Sequence, residues 1–431
     1  MASDHAVGVS LLGAGNVGAG VIQALTSGAT RYAARVGRPL ELRRVLVRDA
    51  ARSRPGVPAG ALTAEIEDVL SDERTRIVIE VLGGEEPARD YIRIALESGR
   101  HVVTANKEVM AKHGASLLAV AAKHGVRLLY EASVGGGIPI ISPLSRDLLA
   151  NEITAVTAII NGTTNYMLTA MAADGTAYAD VLAEAQRLGY AEPDPTADVE
   201  GIDAAYKLAI LCGLAFHVDV SPEDVTRRGI TQLHPRDFRY AEELGYAIKL
   251  LANGRLLDGA LLASVQPTLV ALDEPLAKVD GVLNAVQIEG DLIGRVIFEG
   301  PGAGPMPTAS AILADVLDVA RDLVAERRPI EVMAYQPVEI CPPARATSRY
   351  YLRVTVADQA GVLARIAGAL GAQGISIASV IQFEADEDAH TAELVITTHT
   401  APGDHLEAAL AEVRAMDVVV EVGNVLPMVG S

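Results

Sequence analysis

At 431 residues, half of them hydrophobic, the chain exceeds one ordinary domain and has the apolar content for two or three cores. It has no Trp and only 4% aromatic residues, so Ala, Val, Leu and Ile must build those cores, as suits a layered α/β fold. A formal net charge of −19 argues against the basic face of a nucleic-acid binder and for a soluble, cytoplasmic protein. The two cysteines, Cys212 and Cys341, form no CxxC or Cys/His pattern and read as reduced, buried thiols. Residues 1–5 show no basic leader, and no apolar run reaches membrane-spanning length, so no export signal and no membrane anchor are expected.

In chain order, an apolar strand at 6–12 ends in Gly13-Ala14-Gly15-Asn16-Val17-Gly18, and Val21, Ile22 and Leu25 mark a helix after it. A dinucleotide fingerprint belongs at this place. Gly13 allows the tight turn, Gly15 the approach of a pyrophosphate, and Gly18 the close packing of helix on strand. Amides at the helix start would meet the phosphate charge. A plain glycine turn is the competing reading of the motif alone. A second strand at 42–47 ends at Arg48-Asp49, with Arg52 and Arg54 beyond. An acid here selects a ribose 2′-hydroxyl, while an arginine accommodates a 2′-phosphate. Arg48 comes first, which favours NADP; Asp49 keeps NAD open.

Strands are expected at 76–82, 101–103 and 127–130, with a helix at 87–98. The strand ends are Gly83-Gly84, Thr104-Ala105-Asn106-Lys107 and Glu131-Ala132-Ser133-Val134-Gly135-Gly136-Gly137-Ile138-Pro139. Strands alternating with helices imply a parallel sheet that takes ligands at these ends, which makes Lys107 a candidate beside cofactor or substrate. Residues 144–149 read as a helical tail.

From 153 the pattern changes to a strand at 153–160, a helix capped by Asn161-Gly162-Thr163-Thr164-Asn165, and another helix at 178–188. Gly189-Tyr190-Ala191-Glu192-Pro193-Asp194-Pro195 is too rich in proline for a helix. A helix is expected from Asp198 as N-cap, because Ile202, Ala205, Leu208, Ala209 and Leu211 keep a helical apolar period. Asp203 and Lys207 then share one face, and Glu192 on the loop can fold back toward it. Alone, this pair reads more readily as a solvated ion pair.

Elements at 225–230, 250–252, 260–270 and 281–288 complete a second α/β domain. Gly300-Pro301-Gly302-Ala303-Gly304-Pro305 leads into a helix at 308–325 that returns to the first domain; the loop is a cofactor cover or a plain hinge. Pro329, Pro337, Pro342 and Pro343 mark a linker. The last segment reads as a strand at 351–356, the turn Asp358-Gln359-Ala360-Gly361-Val362-Leu363 opening a helix, strands at 375–382 and 390–397, a helix at 404–416 and a strand at 418–422. The order β-α-β-β-α-β is the ferredoxin-like split motif. It has no catalytic cluster, so a binding module is expected. The domains are drawn at 1–150 (completed by about 305–328), 151–304, a linker at 329–348, and 349–431.

These motifs together resemble homoserine dehydrogenases with a C-terminal ACT domain, over essentially the whole length. The resemblance implies reversible NAD(P)-dependent reduction of L-aspartate 4-semialdehyde to L-homoserine, on the route to threonine, methionine and isoleucine. It implies Lys207 as proton donor, with Lys107 by the cofactor and reacting oxygen. Glu192, Asp203, Asp198 and Gly189 would bind substrate. Gly13, Gly15, Asn16, Val17, Gly18, Arg48, Thr104, Lys107, Gly189 and Gly304 would line the cofactor. A sodium or other monovalent cation would sit near Glu131, Val134, Gly136 and Ile138, on backbone carbonyls and the one carboxylate. Asp358 and Gly361 would receive an amino-acid effector, threonine by implication. A homodimer or higher homo-oligomer is implied as well.

The chemistry agrees. Hydride delivered to an aldehyde leaves a negative oxygen that a positioned ammonium stabilises and protonates. An ordinary lysine is a feeble acid at neutral pH, so such a donor needs burial or a neighbouring cation. Two other readings remain open. Aspartate-semialdehyde dehydrogenase chemistry needs a nucleophilic Cys, and Cys212 sits in a buried-looking helix with no partner pattern. A non-catalytic amino-acid sensor would not need the acid and lysine set.

Overall fold

The computed structural model describes residues 6–328, 335–386 and 390–430, and only the backbone of 383–386. Residues 1–5 and the first part of the expected linker, 329–334, lie outside the described residues. Contacts divide the chain into two compact units. One comprises Met1–Val156, Tyr206–Pro222 and Asn284–Val338; the other comprises Thr157–Ala205, Glu223–Leu283 and Glu339–Ser431.

The first unit is built on six parallel strands: β1 (Val7–Leu12), β2 (Leu40–Leu46), β3 (Leu62–Thr63), β4 (Thr75–Glu80), β5 (His101–Thr104) and β6 (Leu128–Leu129). Their order is β3-β2-β1-β4-β5-β6. Direction reverses between β1 and β4, and the crevice at their carboxyl ends is where such sheets take ligands. Val7, Val9 and Leu11 of β1, with Ile77 and Ile79 of β4, pack against Val21 and Ile22 of the helix Asn16–Ser27. Ile312, Val316 and Val319 of the helix Pro305–Val324 join the same core. A Cβ on Gly20 would lie 2.8 Å from the Pro305 carbonyl oxygen, so glycine permits the approach. Neither β3 nor the short helix Ile66–Leu70 was foreseen from sequence, and the expected tail at 144–149 is a π-helical turn, Pro143–Asp147.

In the second unit, Tyr246–Leu257 and Ala260–Ala271 pair as a long antiparallel hairpin. Sequence suggested only 250–252 for the first of these, because its near-continuous burial hides the period of two. The helix Pro235–Glu243 was missed although its start is well signalled. Pro235 opens it, His234 Nδ1 accepts the Arg236 N–H, and Asp237 accepts the His234 N–H at 2.9 Å. The helix expected from Asp198 is two helices. Thr196–Val199 ends, Gly201 turns at φ 76°, and Ile202–Phe216 begins. Asp198 therefore lies within the short helix and is not the N-cap of the long one.

The C-terminal elements follow the expected split motif: Thr347–Ala357, Val362–Ala372, Ile377–Asp386, Thr391–Thr398, Gly403–Arg414 and Val419–Val429. Leu352, Val354 and Val356 face the two helices, packing on Ile366, Leu370, Leu406 and Leu410. The alternate residues Tyr351 and Arg353 are buried on the opposite face. There Arg353 donates to Asp237 at 2.7 Å and Glu393 at 3.1 Å, and the Asn424 amide donates to Asp237 at 2.6 Å. The final strand runs beyond the expected 422 and pairs in parallel with Ala260–Ala271 through Leu269–Met428 and Val270–Val429. Ion pairs and strand pairing thus weave the C-terminal domain into the second unit. No helix among the described residues is long and apolar enough to cross a membrane.

Candidate active site

At the reversal point the three fingerprint glycines separate by what a side chain would meet. Gly13 has φ 99° and its Cβ would lie 2.7 Å from the Val81 carbonyl oxygen. A Cβ on Gly18 would lie 2.3 Å from the Gly13 carbonyl oxygen. Gly15 faces open space, with nothing within 4 Å. Two glycines thus build the turn, and the third leaves room where a pyrophosphate would approach the helix start at Asn16 and Val17. The residues present fit a dinucleotide. Arg48 is exposed at the end of β2, while Asp49 accepts the Ala51 N–H at 3.0 Å within its own turn.

The ends of β4 and β5 meet through a buried acid that sequence reading passed over. Glu80 is fully buried; it accepts the Leu82 N–H at 2.7 Å and the Thr104 hydroxyl at 2.6 Å. The Thr104 oxygen in turn accepts the Asn106 N–H at 2.9 Å. Thr104 is itself fully buried, so its side chain supports the site from behind. Asn106 caps the helix Lys107–Lys123 through the Val109 N–H and donates to the Gly84 carbonyl at 2.7 Å. Lys107 is the first residue of that helix and is exposed. The signal for Glu80 was an acid at the end of the apolar run Ile77-Val78-Ile79. Beyond Gly84, Glu85 binds Lys112 at 2.8 Å and His113 at 2.7 Å, which hold its carboxyl down to about 2.

Glu131, Val134 and Ile138 are buried in the loop after β6. The Glu131 carboxylate accepts the N–H groups of Ile140, Ile141 and Ser142 at 2.6, 2.9 and 2.7 Å. It was expected to serve a cation, but these three amides engage it. Gly136 (φ 52°) lies against the Gly302 carbonyl, and Gly304 (φ 113°) opens the helix Pro305–Val324, so the returning loop packs on this one. Behind it, Asp315 accepts the Glu131 N–H at 2.9 Å, and burial pushes its carboxyl up to about 8. Among the described residues, no group of three His, Cys, Asp or Glu side chains converges as a metal site.

In the second unit the acids are organised by one amide. Asn161 Nδ2 donates to Asp198 at 2.7 Å and to Asp203 at 3.0 Å, while its Oδ1 accepts the Thr164 N–H and hydroxyl. Sequence reading saw Asn161 as a helix cap and missed this bridge. Asp203 is buried and Glu192 exposed. Gln186 Nε2 holds the loop through the Glu192 and Pro193 carbonyls at 3.1 and 3.3 Å. Gly189 (φ 79°) terminates the helix Tyr178–Leu188 and starts that loop. Lys207 follows Asp203 by four residues on Ile202–Phe216. Asp358 and Gly361 (φ 89°) form an exposed turn at the end of Thr347–Ala357. Cys212 is fully buried and burial pushes its thiol up to about 12, which removes it as a nucleophile.

A doubly wound parallel sheet whose glycine turn leaves open space at the reversal point is the architecture of a dinucleotide-binding protein. Comparison with known proteins narrows that class. The model of the homoserine dehydrogenase NAD binding domain matches residues 13–131, that of homoserine dehydrogenase residues 139–317, and that of the ACT domain residues 350–417. The homoserine dehydrogenase of Corynebacterium glutamicum is 42% identical over 426 residues, covering 98% of this chain and 95% of that protein. The crystal structure of a homoserine dehydrogenase from Thiobacillus denitrificans aligns with TM-score 0.92 and 40% identity, covering 98% of each chain. A hyperthermophilic archaeal homoserine dehydrogenase in complex with NADPH aligns with TM-score 0.63 and 27% identity, covering 73% of this chain and 97% of that one. The chain belongs to the homoserine dehydrogenase family. It is an oxidoreductase with a nicotinamide cofactor and a C-terminal ACT domain suited to feedback regulation.

Proposed function

We propose that the family reaction, interconversion of L-aspartate 4-semialdehyde and L-homoserine, runs here with NADP and with Lys207 as proton donor. Support for NADP is the exposed Arg48 beside an Asp49 whose carboxylate is turned to the Ala51 N–H. The NADPH bound by the archaeal relative agrees. The observation that supports the substrate assignment is the Asn161 bridge, which holds the Asp198 and Asp203 carboxyls together; Asp203 with Glu192 would meet the amino acid's ammonium and hydroxyl. Glu192 and Gly189 complete that set on the adjoining loop.

A nicotinamide cofactor, when bound, would supply or accept the hydride. Lys207 stabilises and protonates the oxygen that becomes negative as the aldehyde carbon is reduced, and Lys107 adds a second cation. Thr104, through Glu80 and Asn106, holds the helix that starts at Lys107. Gly304 lets the returning loop close toward the cofactor. Carbonyls of the 131–138 loop would hold sodium, which would stiffen that strand end.

The ACT turn at Asp358 and Gly361 takes threonine as feedback inhibitor, a homo-oligomer is the working form, and two buried free thiols suit the cytoplasm. The test is to mix the purified protein with homoserine and NADP or NAD, with and without threonine, and follow reduced nicotinamide. Faster reduction of NADP and slowing by threonine are expected. A preference for NAD would remove the Arg48 assignment. A folded Lys207→Ala variant is expected to lose turnover by about a hundredfold or more; near-normal turnover would remove its role.

A further inference from the structure

We infer that Glu80 is a positioning residue for the cofactor, fixing the 82–84 rim of the crevice and the start of the Lys107 helix as one piece; this rests on the cofactor site proposed above. Four features of the first unit carry it. Glu80 closes β4 at the reversal point and is fully buried, with one oxygen on the Leu82 N–H and the other on the Thr104 hydroxyl. Thr104 passes the constraint to the Asn106 N–H, and Asn106 ties the Lys107–Lys123 helix to the Gly84 carbonyl at 2.7 Å. Gly83 and Gly84 stand at φ 77° and 73°, exposed, with open space where side chains would be. The glycine turn leans on the same piece, because Gly13 abuts the Val81 carbonyl and the Val81 N–H bonds to Leu12 at 2.9 Å.

A left-handed glycine pair has wide conformational freedom. A buried carboxylate gathering donors from two strand ends removes that freedom at the surface a nicotinamide ribose and ring would touch. Burial raises the Glu80 carboxyl and outweighs the hydrogen bonds from Thr104, Leu82, Asn106 and Gly83, which act in the other direction. Glu80 touches neither cofactor nor substrate, so its loss is expected in cofactor binding before anything else.

The experiment is equilibrium NADPH binding by fluorescence, paired with steady-state constants for homoserine at saturating NADP, on wild type, Glu80→Ala, Glu80→Gln and Thr104→Val. Expected is a rise of about tenfold in the NADPH dissociation constant for Glu80→Ala, ~1.4 kcal/mol, with the homoserine KM within about twofold. Glu80→Gln, which keeps an oxygen for Leu82, should lie between it and wild type. Thr104→Val, which keeps the volume but removes both the donor to Glu80 and the acceptor of the Asn106 N–H, should weaken NADPH binding as Glu80→Ala does, and it carries the test if the alanine variant does not fold. Unchanged NADPH affinity in folded variants overturns the role, as does an equal loss in NADPH affinity and homoserine KM. Wild type that binds neither NADPH nor NADH overturns the cofactor site itself, a result distinguishable from failure of Glu80 alone.

Discussion

Asn161 divides one amide between two carboxylates, and this is the smallest unit of the proposed substrate site. Removing it leaves Asp198 and the buried Asp203 without their common donor, at a cost of about 1–3 kcal/mol. Asn161→Ala is therefore expected to raise the homoserine KM about tenfold with NADPH affinity unchanged; an unchanged KM would show that the bridge is packing alone. A second residue sets a pH limit. His101 is buried, its Nδ1 accepts the Arg127 N–H at 3.0 Å, and burial lowers its pKa from 6.5 to about 4. The unfolded chain takes up this proton more readily than the folded one. The contribution is therefore whole above pH 6.5 and is lost as pH falls toward 4, by about 3 kcal/mol. Urea unfolding from pH 7 to 4.5 should show a steeper loss for wild type than for His101→Asn. Equal slopes would mean that the ring titrates normally.

At the scale of elements, the glycine turn separates binding from folding. Gly15 has φ −75° and no neighbour at its Cβ position, so Gly15→Ala should fold normally and weaken NADPH about tenfold or more. Gly18→Ala forces a methyl against the Gly13 carbonyl, and the helix Asn16–Ser27 must move off β1 at a cost of about 1–3 kcal/mol. Urea midpoints without cofactor, set beside NADPH titrations, distinguish the two; equal destabilisation would contradict the open space at Gly15. The acid stretch is an element-scale device as well. The break at Gly201 lets Asp198 on one helix and Asp203 on the next reach the same Asn161, which one continuous helix from Asp198 as N-cap would not provide.

At the scale of the molecule, the C-terminal domain is held by more than its linker. Arg353 lies between Asp237 and Glu393, and the last strand pairs with Ala260–Ala271. Removing everything after Pro343 leaves Asp237 buried without its cation and uncovers a strand edge. The expected outcome is a destabilised, aggregating protein rather than a clean loss of inhibition. Arg353→Met should lower stability by about 3–5 kcal/mol in denaturant unfolding. Asp358→Ala, in an exposed turn, should leave stability unchanged and abolish the threonine inhibition proposed above. A stable, active truncated chain would contradict this account of how the domain is held.

Local signals made most of the architecture legible. Strands alternating with helices, glycines at strand ends, and the β-α-β-β-α-β order depend on short-range periodicity and turn chemistry, which sequence carries directly. They were enough for the doubly wound sheet, the C-terminal split motif and the family resemblance. Glu80, the Asn161 bridge, the three amides on Glu131 and the Arg353 ion pairs were not legible. Their partners lie between 2 and 116 positions away, and only folding decides which buried donor meets which acceptor. Asp198 shows the division plainly: its residue type and cap-like position were readable, but Gly201 ended the helix there, and Asn161, 37 positions earlier, gave the carboxylate its partner.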